Sequence, residues 1–212
     1  MNIKEKYINY GYKNLNSREF LELLLYLSGY KDIEKKSDTL IKYYGSIDKI
    51  LQDKDNISKK LNDKFIILAS LINEYSKEYI HSKVKNCEYS LKSSNLVVEF
   101  LRRNLAYNKI ERFDILFLTN GNQYITYKNI SKGTLDKTYV FIRNILIQVL
   151  SCNAKNVIIA HNHPSGMLEP SFEDKKITQK IYNALELFDI ILLDHIIVSR
   201  EGYFSFAERG LI

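Results

Sequence analysis

The spacing of apolar residues changes character close to residue 90. From Asn16 to about Tyr79 apolar positions recur at helical intervals, with no strand alternation. Ser17 followed by Glu19, Phe20, Leu21, Leu23, Leu24, Leu25 and Leu27 predicts a capped helix. Asp38 to Tyr44 predicts a second, stopped at Gly45. Ser46 to Leu51 predicts a short third, and Asp63 to about His81 a long fourth. The expectation is a small all-helical domain over residues 1–83. Polar Ser82 to Ser94 reads as a linker, and a second domain over residues 90–212 mixes helices with strands. Asn95 to Tyr107 is helical in spacing. Phe113 to Leu118 and Tyr124 to Ile130 read as strands joined at Asn120-Gly121, two residues that accept positive φ. Phe141 to Leu150 is again helical, and Val157-Ile158-Ile159-Ala160 is a short buried strand. A helix from Phe172 to Leu187 follows, then strands Ile190 to Val198 and Tyr203 to Phe206 around Gly202. The fold class is α/β, with flanking helices on an antiparallel or mixed sheet.

Composition narrows the function classes. The net charge of +6 raises the question of nucleic acid. Lys, Asn, Ile and Tyr are all abundant and all have A/T-rich codons, so genomic composition accounts for much of the basic excess. The charge is also spread evenly, where a nucleic-acid arm would be lopsided. A nucleic-acid partner is weakly supported on these grounds. Two cysteines far apart, Cys87 and Cys152, are too few for a disulfide scaffold, a four-cysteine zinc site or an iron–sulfur cluster. Met1 to Leu15 lacks the apolar core of a secretory signal, and no apolar run approaches the roughly 18 residues that span a bilayer. The expectation is a soluble, cytoplasmic protein with no membrane partner.

The stretch Ala160-His161-Asn162-His163-Pro164-Ser165-Gly166, continuing to Ser171-Phe172-Glu173-Asp174, carries the chemistry. His161 and His163 follow directly from a buried strand. In extended backbone residues two apart point the same way, so both imidazoles can converge on one ion. Imidazole suits zinc, and a carboxylate is a common third ligand in a site that leaves a position for water. Pro164 and Gly166 turn the chain, Ser171 restarts it as a helix, and Asp174 in the first turn can come back toward the histidines. Two plainer readings stand beside this one. An H-x-H pair can be a surface pair, and Ser171-x-x-Asp174 resembles a capping box, which needs no metal. The capping and metal readings are compatible. The letters His-Asn-His do not make an HNH nuclease, whose residues are spread over a hairpin and helix. A zinc deaminase needs H-x-E and P-C-x-x-C, which two distant cysteines cannot supply.

At these residues the chain resembles the JAMM/MPN+ metalloprotease superfamily, whose pattern is Glu…H-x-H-P-x₆-S-x₂-D. His161, His163, Pro164, Ser171 and Asp174 match it at the right spacing. The H-N-H-P-S-G form resembles the bacterial RadC branch. So do Gly133-Thr134-Leu135, Leu193-Asp194-His195 and the ending Ser205-Phe206-Ala207-Glu208-Arg209-Gly210. Leu15 to Leu21 and Tyr44-Gly45-Ser46-Ile47 extend the resemblance into the helical domain. Two departures stand out. Ile57 to Asp63 has no glycine where the family carries a helix-hairpin-helix turn with a Gly-x-Gly core, and Arg143-Asn144 stands where relatives show Arg-Glu.

The resemblance implies an MPN (JAB-like, cytidine-deaminase-like) domain preceded by a degenerate helix-hairpin-helix-like one. It implies Zn2+ on His161, His163 and Asp174, with Glu111 as the catalytic base and the Ser171 hydroxyl stabilising an oxyanion. Asp194 and His195 read as a buried structural pair outside the zinc shell. Three functions follow in order: a zinc peptidase or isopeptidase acting on a protein or peptide; a metal-dependent DNA-processing factor, after the family's DNA-repair label; and a non-catalytic binding module. The intact five-residue signature argues against the third, and the missing glycines weaken the second.

Overall fold

Short polar side chains start the helices of the N-terminal region. The computed structural model describes residues 2–86, 91, 95–132 and 138–212, which fall into two units, Met1–Ser76 and Lys77–Ile212. In the first unit Asn2 and Asn16 accept from the amides of Glu5 and Glu19, whose side chains bond back to the cap amides. These capping boxes open α1 (Ile3–Tyr10) and α2 (Ser17–Leu27). The cap of α2 is therefore Asn16, one residue before the serine the spacing favours. Next come α3 (Ile33–Tyr44), α4 (Ile47–Gln52), the single turn α5 (Lys54–Ile57) and α6 (Asp63–Lys85). Ser46 caps α4 as its position predicts. Helix α3 begins five residues earlier than expected, because Glu34-Lys35-Lys36-Ser37 dilutes the apolar period. Neither α1 nor α5 is predicted: α1 buries Ile3 alone, and α5 is one turn. Leu21, Leu25, Leu40, Ile50, Ile57 and Phe65 form this unit's core.

The second unit is a five-stranded sheet in the order β2-β1-β3-β4-β5. The strands are β1 (Arg112–Leu118), β2 (Tyr124–Lys132), β3 (Asn156–Asn162), β4 (Ile191–Val198) and β5 (Tyr203–Ser205). The β3–β4 pair is parallel and the other three pairs are antiparallel. Central strand β3 is buried at all seven positions. On one face Phe113, Ile115, Phe117, Val157 and Ile159 pack against α8 (Thr138–Ser151) and α9 (Phe172–Glu186). On the other, Leu116, Leu118, Ile158 and Ala160 pack against α7 (Asn95–Leu105) together with Ile80 and Val84 from the end of α6. This is the expected mixed-sheet α/β architecture, preceded by an all-helical region.

Two local departures matter later. The β1–β2 hairpin forms, but its loop is three residues long, closed by Thr119 N–H to the Gln123 carbonyl at 2.9 Å. The positive φ, 59°, falls at Asn122, not at Asn120 or Gly121. In β4 the register with β3 skips Leu193: Val157 pairs with Leu192 and Ile158 with Asp194. That bulge flips the side-chain alternation, so Leu192 and His195, three residues apart, both reach the α9 face. Helix α6 runs to Lys85, four residues into the expected linker. The rest of that linker at 87–90 and 92–94, and the Gly133-Thr134-Leu135 motif, lie outside the described residues. Among the described residues no helix is long and apolar enough to cross a membrane.

Gly45 ends α3 at φ 78°, with its amide bonded to the Ile41 carbonyl. A Cβ there meets nothing within 4 Å, so substitution is disfavoured by backbone conformation alone. Gly45→Ala is expected to lower unfolding free energy by about 1 kcal/mol, and Gly45→Asn by less, since Asn tolerates the left-handed region. Urea denaturation of the two variants checks the order.

Candidate metal centre

The end of β3 and the start of α9 place the candidate ligands. His161 is the sixth residue of β3, fully buried, with its backbone between Phe113 of β1 and Ile197 of β4. His163 lies just past the strand, where its amide still donates to the Val198 carbonyl at 3.0 Å. The turn the prolyl and glycyl residues predict follows, with Gly166 at φ 92° donating back to the His163 carbonyl. Ser171 then caps α9 in a full capping box with Asp174. Asp174 is 1% exposed and sits at the positive end of the helix dipole, which favours a carboxylate.

Glu111, His161, His163 and Asp174 each bring a ligand atom to one place, all within 4.8 Å of one another. His161 Nε2 lies 2.9 Å from His163 Nε2 and 3.2 Å from Asp174 Oδ1, and His163 Nε2 lies 3.5 Å from Asp174 Oδ2. Ligands set tetrahedrally at zinc distances are separated by about 3.3 Å, and each of these three separations is close to that. The hydrogens favour a shared cation as well. His163 Nδ1 is 2.8 Å from the Met167 carbonyl, which only accepts, so Nδ1 carries a hydrogen and the neutral ring leaves Nε2 bare. A bare nitrogen 2.9 Å from a second one needs a hydrogen or a cation between them. The donor set fits a zinc ion.

Charge sharpens the picture. Burial raises the Asp174 carboxyl, but the neighbouring His161 and His163 rings and the Ser171 hydroxyl outweigh it and hold it well below the usual carboxylate range. The Asp174 carboxylate beside it raises His163. Burial lifts Glu111 above the usual glutamate value, partly offset by the two histidines. Burial also pushes His195 well below the ordinary histidine range.

The Ser171 hydroxyl is engaged with Asp174. Its hydroxyl donates to Asp174 Oδ2 at 2.7 Å and accepts from the Asp174 amide at 3.1 Å. The single proton is thus spent on the carboxylate, together with the Ser171 amide at 2.8 Å.

Three buried side chains hold the cluster through contacts that the sequence reading does not assign. Asn162, between the histidines and fully buried, accepts from the Arg112 amide at 2.8 Å and donates to the carbonyls of Asn108 and Ile110 at 3.1 and 3.3 Å. It thereby clamps the segment that carries Glu111. His195 Nε2 lies 2.8 Å from His161 Nδ1, and His195 Nδ1 lies 2.6 Å from the Thr178 hydroxyl. Thr178 was readable, since it follows Asp174 by one helical turn on a stripe with Ile181 and Leu185. The bonds of Asn162 and His195 span 50 and 34 residues, and no local pattern shows those partners. Asp194 stands apart from the donors: it accepts from Ser205 Oγ at 2.6 Å and the Ala207 amide at 3.0 Å, holding β5 to β4. Asp194→Ala leaves a buried hydroxyl and an amide without their acceptor. The expected loss is about 1–3 kcal/mol of unfolding free energy, read by denaturant titration.

The sequence model of the RadC-like JAB domain matches residues 91–211. Over nearly its full length the chain is similar to UPF0758 proteins of several bacteria. It is 34% identical to one from Fusobacterium nucleatum over 220 residues, covering 99% of this chain and 95% of the relative. It is 35% identical to one from Haemophilus influenzae over 214 residues, covering 99% and 96%. A third, from Aliivibrio fischeri, is 35% identical over 215 residues, covering 99% and 95%. The JAB fold, the donor cluster at the carboxyl end of its central strand and this full-length similarity agree, and the chain belongs to the RadC family.

Proposed function

We propose that this chain is a zinc-dependent hydrolase of the JAMM type that cleaves an amide bond in a protein or peptide. The observation that carries the reading is the convergence of His161 Nε2, His163 Nε2 and the two Asp174 carboxylate oxygens at 2.9 to 3.5 Å, with the Glu111 carboxylate beside them. Zinc bound there supplies a Lewis acid and a water acidified to near neutrality. Nitrogen and carboxylate donors in that spacing suit zinc better than the harder cations, which prefer oxygen alone.

Glu111 is the general base. It is half-buried, and burial raises its carboxyl, so it holds a proton more readily than a glutamate in water. Asn162 fixes the strand entry that presents it, so it is placed to take a proton from the attacking water and return it to the leaving amine. His161, His163 and Asp174 hold the metal. We assign Ser171 to orienting Asp174, because its hydroxyl proton already lies on Oδ2. Donation to an oxyanion requires that bond to break first.

The test pairs composition with turnover. Elemental mass spectrometry is expected to find about one zinc per wild-type chain and almost none in a His161→Ala/His163→Ala double variant. The zinc-loaded protein, incubated with a proteome-derived peptide mixture, is expected to create new amino termini that Glu111→Gln does not, while that variant keeps its zinc. Zinc-free wild-type protein in excess metal, or equal cleavage by Glu111→Gln, overturns the assignment.

A further inference from the structure

Three buried contacts run backward from His161. Its Nδ1 is 2.8 Å from His195 Nε2, His195 Nδ1 is 2.6 Å from Thr178 Oγ1, and Thr178 Oγ1 is 2.6 Å from the Asp174 backbone carbonyl. All four residues are at most 2% exposed, so the ring is closed to bulk solvent. The path leaves one candidate ligand and returns to another, tying β3, β4 and α9 into a ring behind the metal centre.

The hydrogens in this ring have one consistent placement, found by starting where there is no choice. The Asp174 carbonyl only accepts, so the Thr178 hydroxyl gives it its single hydrogen. Thr178 Oγ1 must then accept, which puts a hydrogen on His195 Nδ1. The His195 ring is stacked on Phe206, centroids 4.7 Å apart, and is fully buried, so it is neutral and its Nε2 is bare. A bare Nε2 accepts, so His161 Nδ1 carries a hydrogen. The nitrogen left to His161 for coordination is Nε2, the atom that faces His163 and Asp174.

We propose that His195 and Thr178 are positioning residues of the metal centre, which hold His161 with its hydrogen on Nδ1 and its Nε2 free for the ion. This rests on the zinc reading of the preceding section. A histidine ligand is commonly oriented by a carboxylate or a carbonyl. A neutral imidazole does the work here, so no further negative charge is added behind a site that already holds Asp174 and Glu111. The other ligand is set differently: His163 donates its Nδ1 hydrogen to the Met167 carbonyl. The two histidines thus reach the same tautomer through independent partners.

The test uses the full chain and three substitutions. His195→Phe keeps an aromatic ring on Phe206 and removes the acceptor. His195→Gln puts an amide oxygen where Nε2 stood, and Thr178→Val keeps the shape and removes the hydroxyl. Nitrogen-15 spectra of the imidazoles in metal-free protein at alkaline pH are expected to show His161 protonated on Nδ1 in the wild type and in His195→Gln. In His195→Phe it is expected to shift toward the other tautomer. Zinc affinity by chelator competition is expected to fall about 10- to 100-fold in His195→Phe, with much of it restored in His195→Gln and a smaller loss in Thr178→Val. A purely structural role for His195 lowers melting temperature but leaves the tautomer unmoved. A wild-type His161 protonated on Nε2 alone overturns the proposal, as does unchanged zinc affinity in His195→Phe. If that variant does not fold, Thr178→Val decides by the same two readings, and no change in either overturns it. Wild-type protein that binds no zinc defeats the metal reading, and the metal-free tautomer then decides the ring by itself.

Discussion

A histidine on the central strand of a sheet has no water to fall back on. His161 sits between two hydrogen-bonded neighbours, under α9 and beside Phe113, with none of its surface exposed. Both its ring nitrogens must find partners inside the protein, because an unpaired buried polar atom costs about 1–3 kcal/mol. One nitrogen is satisfied by His195, which recruits Thr178, which recruits the backbone of Asp174. The other faces His163 and the Asp174 carboxylate, an arrangement that calls for a positive charge at its centre. Burial of this one imidazole therefore organises the ligands in front of it and the ring behind it.

The chain path makes that burial usable. β3, α9 and β4 form a parallel strand–helix–strand unit, which brings the start of α9 over the carboxyl end of β3. Carboxyl ends of parallel strands are where α/β sheets place ligands, since the loops there splay apart. His161 and His163 end the strand, Ser171 and Asp174 start the helix, and the turn at Gly166 joins them. The capping box and the metal site are one device seen from two sides. The bonds that fix Asp174 as N3 of α9 also aim its carboxylate, so helix start and ligand geometry cannot drift apart.

Much of this was legible in the chain, and the exceptions have physical causes. Long apolar periods located α2, α6, α9 and the strands to within a few residues, because those elements bury a continuous face. The α3 start and all of α1 were lost where the buried face thins to a residue or two. The four clustered donors were found, three through spacing along β3 and α9, and Glu111 through family resemblance alone. His195 was read as a structural partner of Asp194, and its bond to His161 lay hidden for a specific reason. Alternation counted from Leu192 sends position 195 to the far side of the sheet. The bulge at Leu193 reverses that, and a bulge leaves no mark in hydrophobic pattern. Ser171 was read both as a cap and as a substrate contact, and the structure shows the first.

Glu111 shows why a member of the donor cluster can be invisible in sequence and well defined in space. It lies ahead of β1, outside any alternation, and nothing adjacent to it dictates its direction. What holds that segment is Asn162, which uses both ends of its amide on backbone at 108, 110 and 112. A hydrophobic residue at 162 could fill the same buried volume, but it would leave an amide and two carbonyls of the Glu111 segment without partners. The residue between the two histidines is thus a bracket for the Glu111 segment, as His195 and Thr178 are for His161. The two brackets share no atom: one reaches toward β1, the other through β4 to α9. Glu111 and His161 are positioned by separate hydrogen-bond systems that meet on adjacent residues of one buried strand, which lets the strand set their separation while each system sets a direction.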